Sequence, residues 1–256
     1  MTSVALRPSP WAARAVGAGS LVALVALLEI LIRAGVVNRF VVPPPSEVLA
    51  AIPRVVIEEN VLRRFGQTTL EMLWAAVLLA VVGIALGVLL HRVRLLRVAC
   101  ETWIAALAAA PIVLMYPLFL VIFGRSAATI VAIGFAAGLP AVILKTIEGL
   151  AGTRRVLIDV GRSLKLTQAQ QFRKILLPAA LPTIFVGLRL GLIFAMINIV
   201  GVEFLINFGG LGQLINEMAE RYDLPATYAA ILFVVLASVL FFGVTGRIER
   251  WTRHAR

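Results

Sequence analysis

Six apolar stretches of membrane-spanning length dominate the pattern of hydrophobic and polar residues along this chain. A helix needs about 20 apolar residues to cross the hydrocarbon core of a bilayer. No long polar domain, repeat or low-complexity tract separates the stretches, so the pattern predicts one all-α membrane domain with six transmembrane helices. The predicted spans are residues 15–37, 68–90, 99–123, 127–150, 180–206 and 226–246.

The composition supports a protein that is solvated by lipid. Of the 256 residues, 61% are hydrophobic and 14% are charged. A soluble domain is nearer to half apolar and a quarter charged. A soluble chain this apolar would have to bury more surface than its volume allows.

The basic residues fall unevenly on the two sides of the predicted spans. With the N-terminus in the cytoplasm, fifteen Lys and Arg residues lie in cytoplasmic segments and six in external ones. The positive-inside rule therefore places both termini in the cytoplasm. The net charge of +11 reflects topology, which makes nucleic-acid binding a poor interpretation. We expect a cytoplasmic tail (1–14), a first helix with an external amphipathic segment (15–66), a core membrane domain (67–246) and a basic tail (247–256).

The first span resembles a signal peptide because Arg14 precedes its apolar run. Its apolar core is long, however, and Glu29 and Arg33 are spaced to pair on one helix face, which favours a retained helix. Three prolines at 43–45 then prevent a helix from starting. We expect Ser46 to cap a short amphipathic helix at 47–57, which either contacts an external partner or covers the bundle.

Sequence motifs for catalysis or metal binding are not found. No G-x-x-x-x-G-K-[ST] loop, paired-histidine motif or G-x-S-x-G elbow occurs. The single cysteine, Cys100, excludes an internal disulfide framework, and His91 and His254 lie in basic flanks. These observations argue against an enzyme, a metal centre or a cofactor. If the chain transports actively, the energy source lies on another chain or in an ion gradient.

The basic segment at 154–182 is amphipathic. Val156, Leu157, Val160 and Leu164 recur at helical spacing between basic and polar residues, which indicates a helix that lies on the membrane surface or on a partner. Beyond them, Pro178 and Pro182 are expected to break the backbone and to set the angle of the fifth span.

The stretch 159–182 resembles the cytoplasmic "EAA" loop of ABC-importer permeases. Further motifs sharpen the resemblance to the nitrate/sulfonate/taurine permease family: VPPPSEV at 42–48, PIVLMYPLF at 111–119 followed by FG at 123–124, GLRL at 187–190, Glu203, and GGLGQLI at 209–215. The resemblance covers most of the chain from about residue 40. It implies a MetI-like type I importer fold in the bacterial cytoplasmic membrane.

The same resemblance implies the partners and the role of the loop. It implies a homodimeric or paired permease, two cytoplasmic ATP-binding subunits and an extracytoplasmic solute-binding protein. The family's coupling helix, which docks on the ATPase, falls on Asp159, Val160, Gly161, Leu164, Lys165 and Leu166. The family prefers Glu at 159, Ala at 161 and Gly at 165. A lysine at 165 must either continue the helix or adopt a positive φ.

Several polar and aromatic residues within the spans have two interpretations each. As lining of a translocation path we consider Met115, Tyr116, Phe119, Arg189, Asn198 and Glu203. Alternatively, residues 115–119 form a kinked packing helix, Arg189 binds a neighbouring helix, and Glu203 caps the outer end of the bundle. Glu71 and Glu101 lie near span ends, where we expect them to be solvated.

The resemblance predicts an importer permease for a small polar solute. Within the family these solutes include nitrate, taurine, alkanesulfonates and precursors of thiamine or riboflavin. A secondary transporter or channel would favour midplane carboxylates and internal repeats, which are not found. A membrane enzyme would need a convergent catalytic set, and none stands out.

Overall fold

The computed structural model describes residues 10–254; residues 1–9 and 255–256 of the two predicted tails lie outside this range. The described chain is helical throughout, without β-strands. Its first six α-helices are α1 (Pro10–Arg33), α2 (Pro45–Glu58), α3 (Val61–Leu78), α4 (Ile84–Arg92), α5 (Arg94–Ala109) and α6 (Tyr116–Phe123). The remaining six are α7 (Ala127–Ala151), α8 (Arg155–Ser163), α9 (Gln168–Gln171), α10 (Leu177–Ile206), α11 (Gly210–Glu220) and α12 (Leu224–His254).

Five helical segments among the described residues are long and apolar enough to span a membrane. They are α1, the continuous Val61–Arg92 segment, α7, the Gln168–Ile206 segment and α12. Helix α5 and residues Ile112–Phe123 meet at a bend of 92° and give a sixth if the pair is counted as one span. The prediction of an all-α bundle with six spans is therefore confirmed when this bent pair is counted as one.

The third predicted span is not one helix, which corrects our expectation for residues 99–123. The helix ends at Ala109, and Ala110 has extended backbone angles (φ −73°, ψ 135°). Pro111 explains the break, because its ring disfavours helical angles at the preceding residue and it has no N–H to donate. The chain resumes in a 3₁₀ turn, Ile112–Met115, and then in α6.

The start of the fifth span is also corrected, because Pro178 and Pro182 do not break it. One helical segment of 39 residues runs from Gln168 to Ile206. A π-helical turn, Phe172–Leu176, joins α9 to α10, and Pro178 occupies the first turn of α10. The wider π turn relieves the crowding that a proline ring causes one turn upstream.

The core is built where α7 and α10 pack along their lengths. Small residues allow this contact, as the repeat of Gly187, Gly191 and Ala195 indicates. A Cβ on Gly138 would collide with the carbonyl oxygen of Gly191, and a Cβ on Gly187 would lie 2.6 Å from the Cβ of Lys145. The two backbones are therefore closer than side chains would permit.

Helix α1 lies at the edge of the bundle with most of its side chains exposed. The predicted Glu29–Arg33 pair is present, at 2.6 Å. Ser46, however, is not the cap of α2, because Pro44 holds that position. The Ser46 N–H and hydroxyl instead donate to Glu29, at 3.0 and 2.7 Å. The Glu29 carboxylate of α1, rather than the Ser46 hydroxyl, thus accepts a hydrogen bond from a backbone amide at the start of α2.

Ion pairs tie α2 and α3 to the C-terminal part of the bundle. Arg54 of α2 pairs with Asp223, Arg64 of α3 with Glu217 at 2.6 Å, and Arg221 with Glu59 at 2.6 Å. The partners are far apart in sequence, so these contacts close this end of the bundle.

Candidate functional site

Helix α8 presents an apolar face that nothing in the described chain covers. Val156, Val160 and Leu164 are 70, 50 and 68% exposed. Asp159, on the same helix, is exposed and pairs with Arg162 at 3.3 Å. We call Val156, Val160 and Leu164 the docking face. Such an exposed apolar cluster with a polar rim is typical of a protein contact.

Lys165 ends α8 in the left-handed conformation, with φ of 53°. The N–H of Lys165 donates to the carbonyl of Arg162 at 2.9 Å, and that of Leu166 donates to Gly161 at 3.0 Å. This pair of bonds is a Schellman motif, in which glycine is the usual left-handed residue. The lysine therefore keeps the turn that a glycine would make, rather than continuing the helix.

Gly161 lies on a different side of α8 from the docking face and is buried. A Cβ there would lie 2.6 Å from the terminal methyl of Ile175, and the Gln171 side chain donates to the carbonyl of Ile158 at 3.0 Å. Helix α8 is thus fastened directly to the helical segment that becomes the fifth span.

At the other end of that span, Glu203 is fully buried and binds the start of α11. Its carboxylate accepts hydrogen bonds from the Gly212 N–H at 2.8 Å and the Thr68 hydroxyl at 2.7 Å. The Thr68 oxygen in turn accepts from the Leu211 N–H at 2.9 Å. These contacts satisfy amides that a helix N-terminus leaves free, and an anion is favoured there. We call this arrangement the Glu203 cap.

The glycines of the 209–212 stretch allow the Glu203 cap to form. Gly209 and Gly210 turn the chain with φ of 69° and 73°. A Cβ on Gly210 would collide with the Glu203 carboxylate, and one on Gly212 would collide with the carbonyl of Val200. The stretch is a tight turn into α11, packed on the end of α10.

Glu71 lies beside this cap, which corrects the expectation that it is solvated. It is 6% exposed, within hydrogen-bonding reach of Glu203, and one of its oxygens has no hydrogen-bond partner among the described residues. The expectation failed because α3 begins at Val61, well before the predicted span at 68, so position 71 is more than two turns inside the helix. Glu101 is exposed as expected and pairs with Arg97 at 3.3 Å.

The residues considered for a translocation path are not gathered at one site in the single chain. Met115 is exposed beside the bend, whereas Tyr116 and Phe119 pack against the core. Arg189 is exposed, near Gly246 of α12, and Asn198 donates to the Phe194 carbonyl of its own helix at 2.9 Å. Arg189 and Glu203 are about 21 Å apart along α10.

Sequence reasoning missed Thr68, Gln67 and Gln171. Thr68 and Gln67 contact the α11 turn, since the Gln67 side chain accepts from the Gly210 N–H at 3.1 Å. The only available signal was a polar Gln-Thr-Thr run at the start of an apolar stretch, which does not indicate a partner 143 residues away.

Comparison with known proteins identifies the family. Residues 59–254 match the family model described as binding-protein-dependent transport system inner membrane component. The chain belongs to this family. The putative aliphatic sulfonates transport permease protein SsuC of Bacillus subtilis is 26% identical to it over 231 residues, which cover 89% of this chain and 82% of SsuC. The nitrate import permease protein NrtB of Synechocystis is 29% identical over 161 residues, 63% of this chain and 58% of NrtB.

A solved structure shows the fold of this permease. The chain is similar to a structure of the MetNI methionine ABC transporter in an inward-facing conformation, with a TM-score of 0.65 and 22% identity. The match covers 75% of this permease and 95% of the solved chain. The predicted MetI-like fold and the resemblance to the sulfonate and nitrate permeases are thereby confirmed. The family description implies a separate binding protein and a multi-pass inner-membrane location.

Proposed function

We propose that the chain is the permease subunit of an ABC importer and works as a homodimer with two ATP-binding subunits. Hydrolysis of ATP takes place on those subunits, so the permease itself is not an enzyme and needs no cofactor. Both termini and α8 lie in the cytoplasm, and an extracytoplasmic binding protein delivers the solute. The observation that carries this proposal is the uncovered docking face of α8.

The docking face favours a soluble protein partner. Fully burying an aliphatic side chain stabilises a complex by about 1.5–3 kcal/mol relative to leaving it exposed. The exposed side chains of Val156, Val160 and Leu164 lie on or directly after a helix that also carries Arg155, Asp159 and Arg162. We expect the ATP-binding subunit to bind this helix in a groove that accepts both its apolar and its charged residues. Lys165 and Leu166 lie at the end of the helix that enters the groove. Gly161 supports the helix from beneath.

The structure offers a mechanical route from that face to the opposite side of the membrane. Contacts of Gln171 and Ile175 fasten α8 to the helical segment Gln168–Ile206. This segment is about 58 Å long at 1.5 Å per residue. Its far end holds α11 through the Glu203 cap. We therefore expect a displacement of α8 by the ATPase to reach α11 through these contacts.

For the solute we propose a small polar molecule, either a nitrate-, sulfonate- or taurine-like anion or a vitamin precursor. The names of SsuC and NrtB refer to aliphatic sulfonates and nitrate. Arg189 is an exposed cation within a membrane helix, a place where such residues serve transport. In the dimer, Met115, Tyr116, Phe119, Asn198 and Glu203 are the other proposed contributors to the path.

The docking proposal is tested with Leu164→Asp and Val160→Asp. Each variant should insert into the membrane and fold, but should lose co-purification with the ATP-binding subunit and solute-dependent ATPase stimulation. Leu95→Asp is the matched control, because Leu95 is 80% exposed on α5 and lies outside α8. Survival of association and transport in both α8 variants would show that the docking face is misassigned. Transport by the permease alone would show a secondary transporter or channel instead.

A further inference from the structure

A cavity of about 640 Å³ lies between the end of α4 and the segment that leads into α10. Its lining residues are His91, Arg92, Gln168, Ala169, Gln171, Phe172 and Leu176. This volume is within the range of small-ligand sites. We call it the basic cavity.

The polar groups of the basic cavity are basic or neutral. No carboxylate lines it, and Arg92 makes no ion pair with any described residue. The Arg92 guanidinium lies 4.4 Å from the ring centroid of Phe172, which holds the cation at the cavity wall. The His91 Nδ1 is buried without a hydrogen-bond partner in the described chain. The cavity therefore offers a fixed positive charge to an anion.

Apolar side chains lie in the basic cavity and near it in sequence. Phe172 and Leu176 form part of the lining, and Leu89, Val93 and Leu96 are exposed on the adjoining ends of α4 and α5. If a free anion were bound at Arg92, these apolar side chains would remain exposed. A phospholipid would place its phosphate beside Arg92 and its acyl chains along the apolar residues. Basic pockets at the cytoplasmic ends of membrane helices bind lipid headgroups in this way.

We propose that the basic cavity binds the headgroup of an anionic phospholipid through Arg92. The site lies next to α8, because Gln171 both lines the cavity and donates to the Ile158 carbonyl of α8. A lipid bound in the cavity therefore fixes the position of α9 relative to α4. Because Gln171 also contacts α8, the lipid fixes the position of α8 as well.

The test reconstitutes the full chain in equimolar phosphatidylglycerol and phosphatidylcholine and measures the co-purifying lipid by mass spectrometry. The wild-type chain should enrich phosphatidylglycerol, and Arg92→Gln should lower that enrichment about fivefold, the factor for about 1 kcal/mol per arginine at a membrane surface. Arg97→Gln is the matched control, because Arg97 is on the same side but pairs with Glu101. It should keep the enrichment, and both variants should keep the wild-type thermal midpoint.

Four outcomes would overturn the proposal. Equal enrichment in all three proteins, or equal loss in both variants, would reduce the effect to bulk surface charge. Displacement of phosphatidylglycerol by millimolar inorganic phosphate would assign the cavity to a free anion. Its displacement by the purified ATP-binding subunit would assign the cavity to a protein contact. None of these readouts depends on transport, so failure here leaves the proposed function intact.

Discussion

Thr68 should be far more important for stability than its neighbour Thr69, although both are threonines on α3. The Thr68 hydroxyl donates to Glu203 at 2.7 Å and accepts from the Leu211 amide at 2.9 Å. The Thr69 hydroxyl donates only to the Phe65 carbonyl of its own helix, at 2.7 Å. Replacing each by valine keeps the shape and removes the hydroxyl, so the pair forms a matched comparison.

The structure gives the expected magnitude. Thr68→Val removes a hydrogen bond to a charged group, worth about 1.5–3 kcal/mol, and leaves the buried Leu211 amide unsatisfied, which costs about 1–3 kcal/mol. Together these effects amount to roughly 2.5–6 kcal/mol. Thr69→Val removes a side-chain bond to a helical carbonyl, which should change stability by less than about 1 kcal/mol.

Thermal unfolding in a mild detergent measures this difference. A loss of 1 kcal/mol lowers the midpoint by roughly 2–4 °C in a chain of this size, so Thr68→Val should lower it by about 10 °C and Thr69→Val by at most about 3 °C. Hydrogen exchange adds a local readout, because the amides of Leu211 and Gly212 should exchange faster only in Thr68→Val. Equal midpoints for the two variants, or unchanged exchange at α11, would refute the Glu203 cap as a stabilising contact.

Three further predictions concern the turn after α8, the helix contact in the core and the topology. Lys165→Gly should raise the thermal midpoint by roughly 2–4 °C, because a non-glycine residue in the left-handed region costs about 1 kcal/mol; a lower midpoint would contradict the Schellman turn. Gly138→Ala should destabilise the chain by about 1–3 kcal/mol through overpacking, measured in the same assay, whereas Gly19→Ala, with open space at its Cβ, should not destabilise it; similar losses would exclude the close contact of α7 with α10. Val156→Cys, in a chain with Cys100→Ser, should react with a membrane-impermeant maleimide in inside-out vesicles and not in right-side-out ones; the reverse result would invert the proposed topology.

The positions of the membrane spans could be predicted from the sequence because lipid imposes a simple rule on helix composition. Backbone groups cannot remain unpaired in hydrocarbon, so a run of about 20 apolar residues is read directly as a helix. The same rule says nothing about continuity. Pro111 ends a helix and Pro178 does not, because Pro178 follows a π turn that accommodates its ring.

The parts of the candidate site that were missed depend on partners far apart in sequence. The amphipathic spacing of Val156, Val160 and Leu164 is local and predicted an uncovered helix face. The burial of Glu71 and the contact of Thr68 with Glu203 arise only when α3, α10 and α11 pack together. No local sequence pattern predicts the contacts between these three helices.

The length of the Gln168–Ile206 helix has a consequence for where the ATP-binding subunit sits. At a tilt of about 20°, the helix still covers about 55 Å along the membrane normal, whereas the hydrocarbon core is about 30 Å thick. Roughly 25 Å must therefore project beyond the acyl chains. The share of this overhang at the α9 end places the Gln168–Leu176 turn at the level of the headgroups and α8 on their aqueous side, where a soluble motor can reach it without deforming the bilayer.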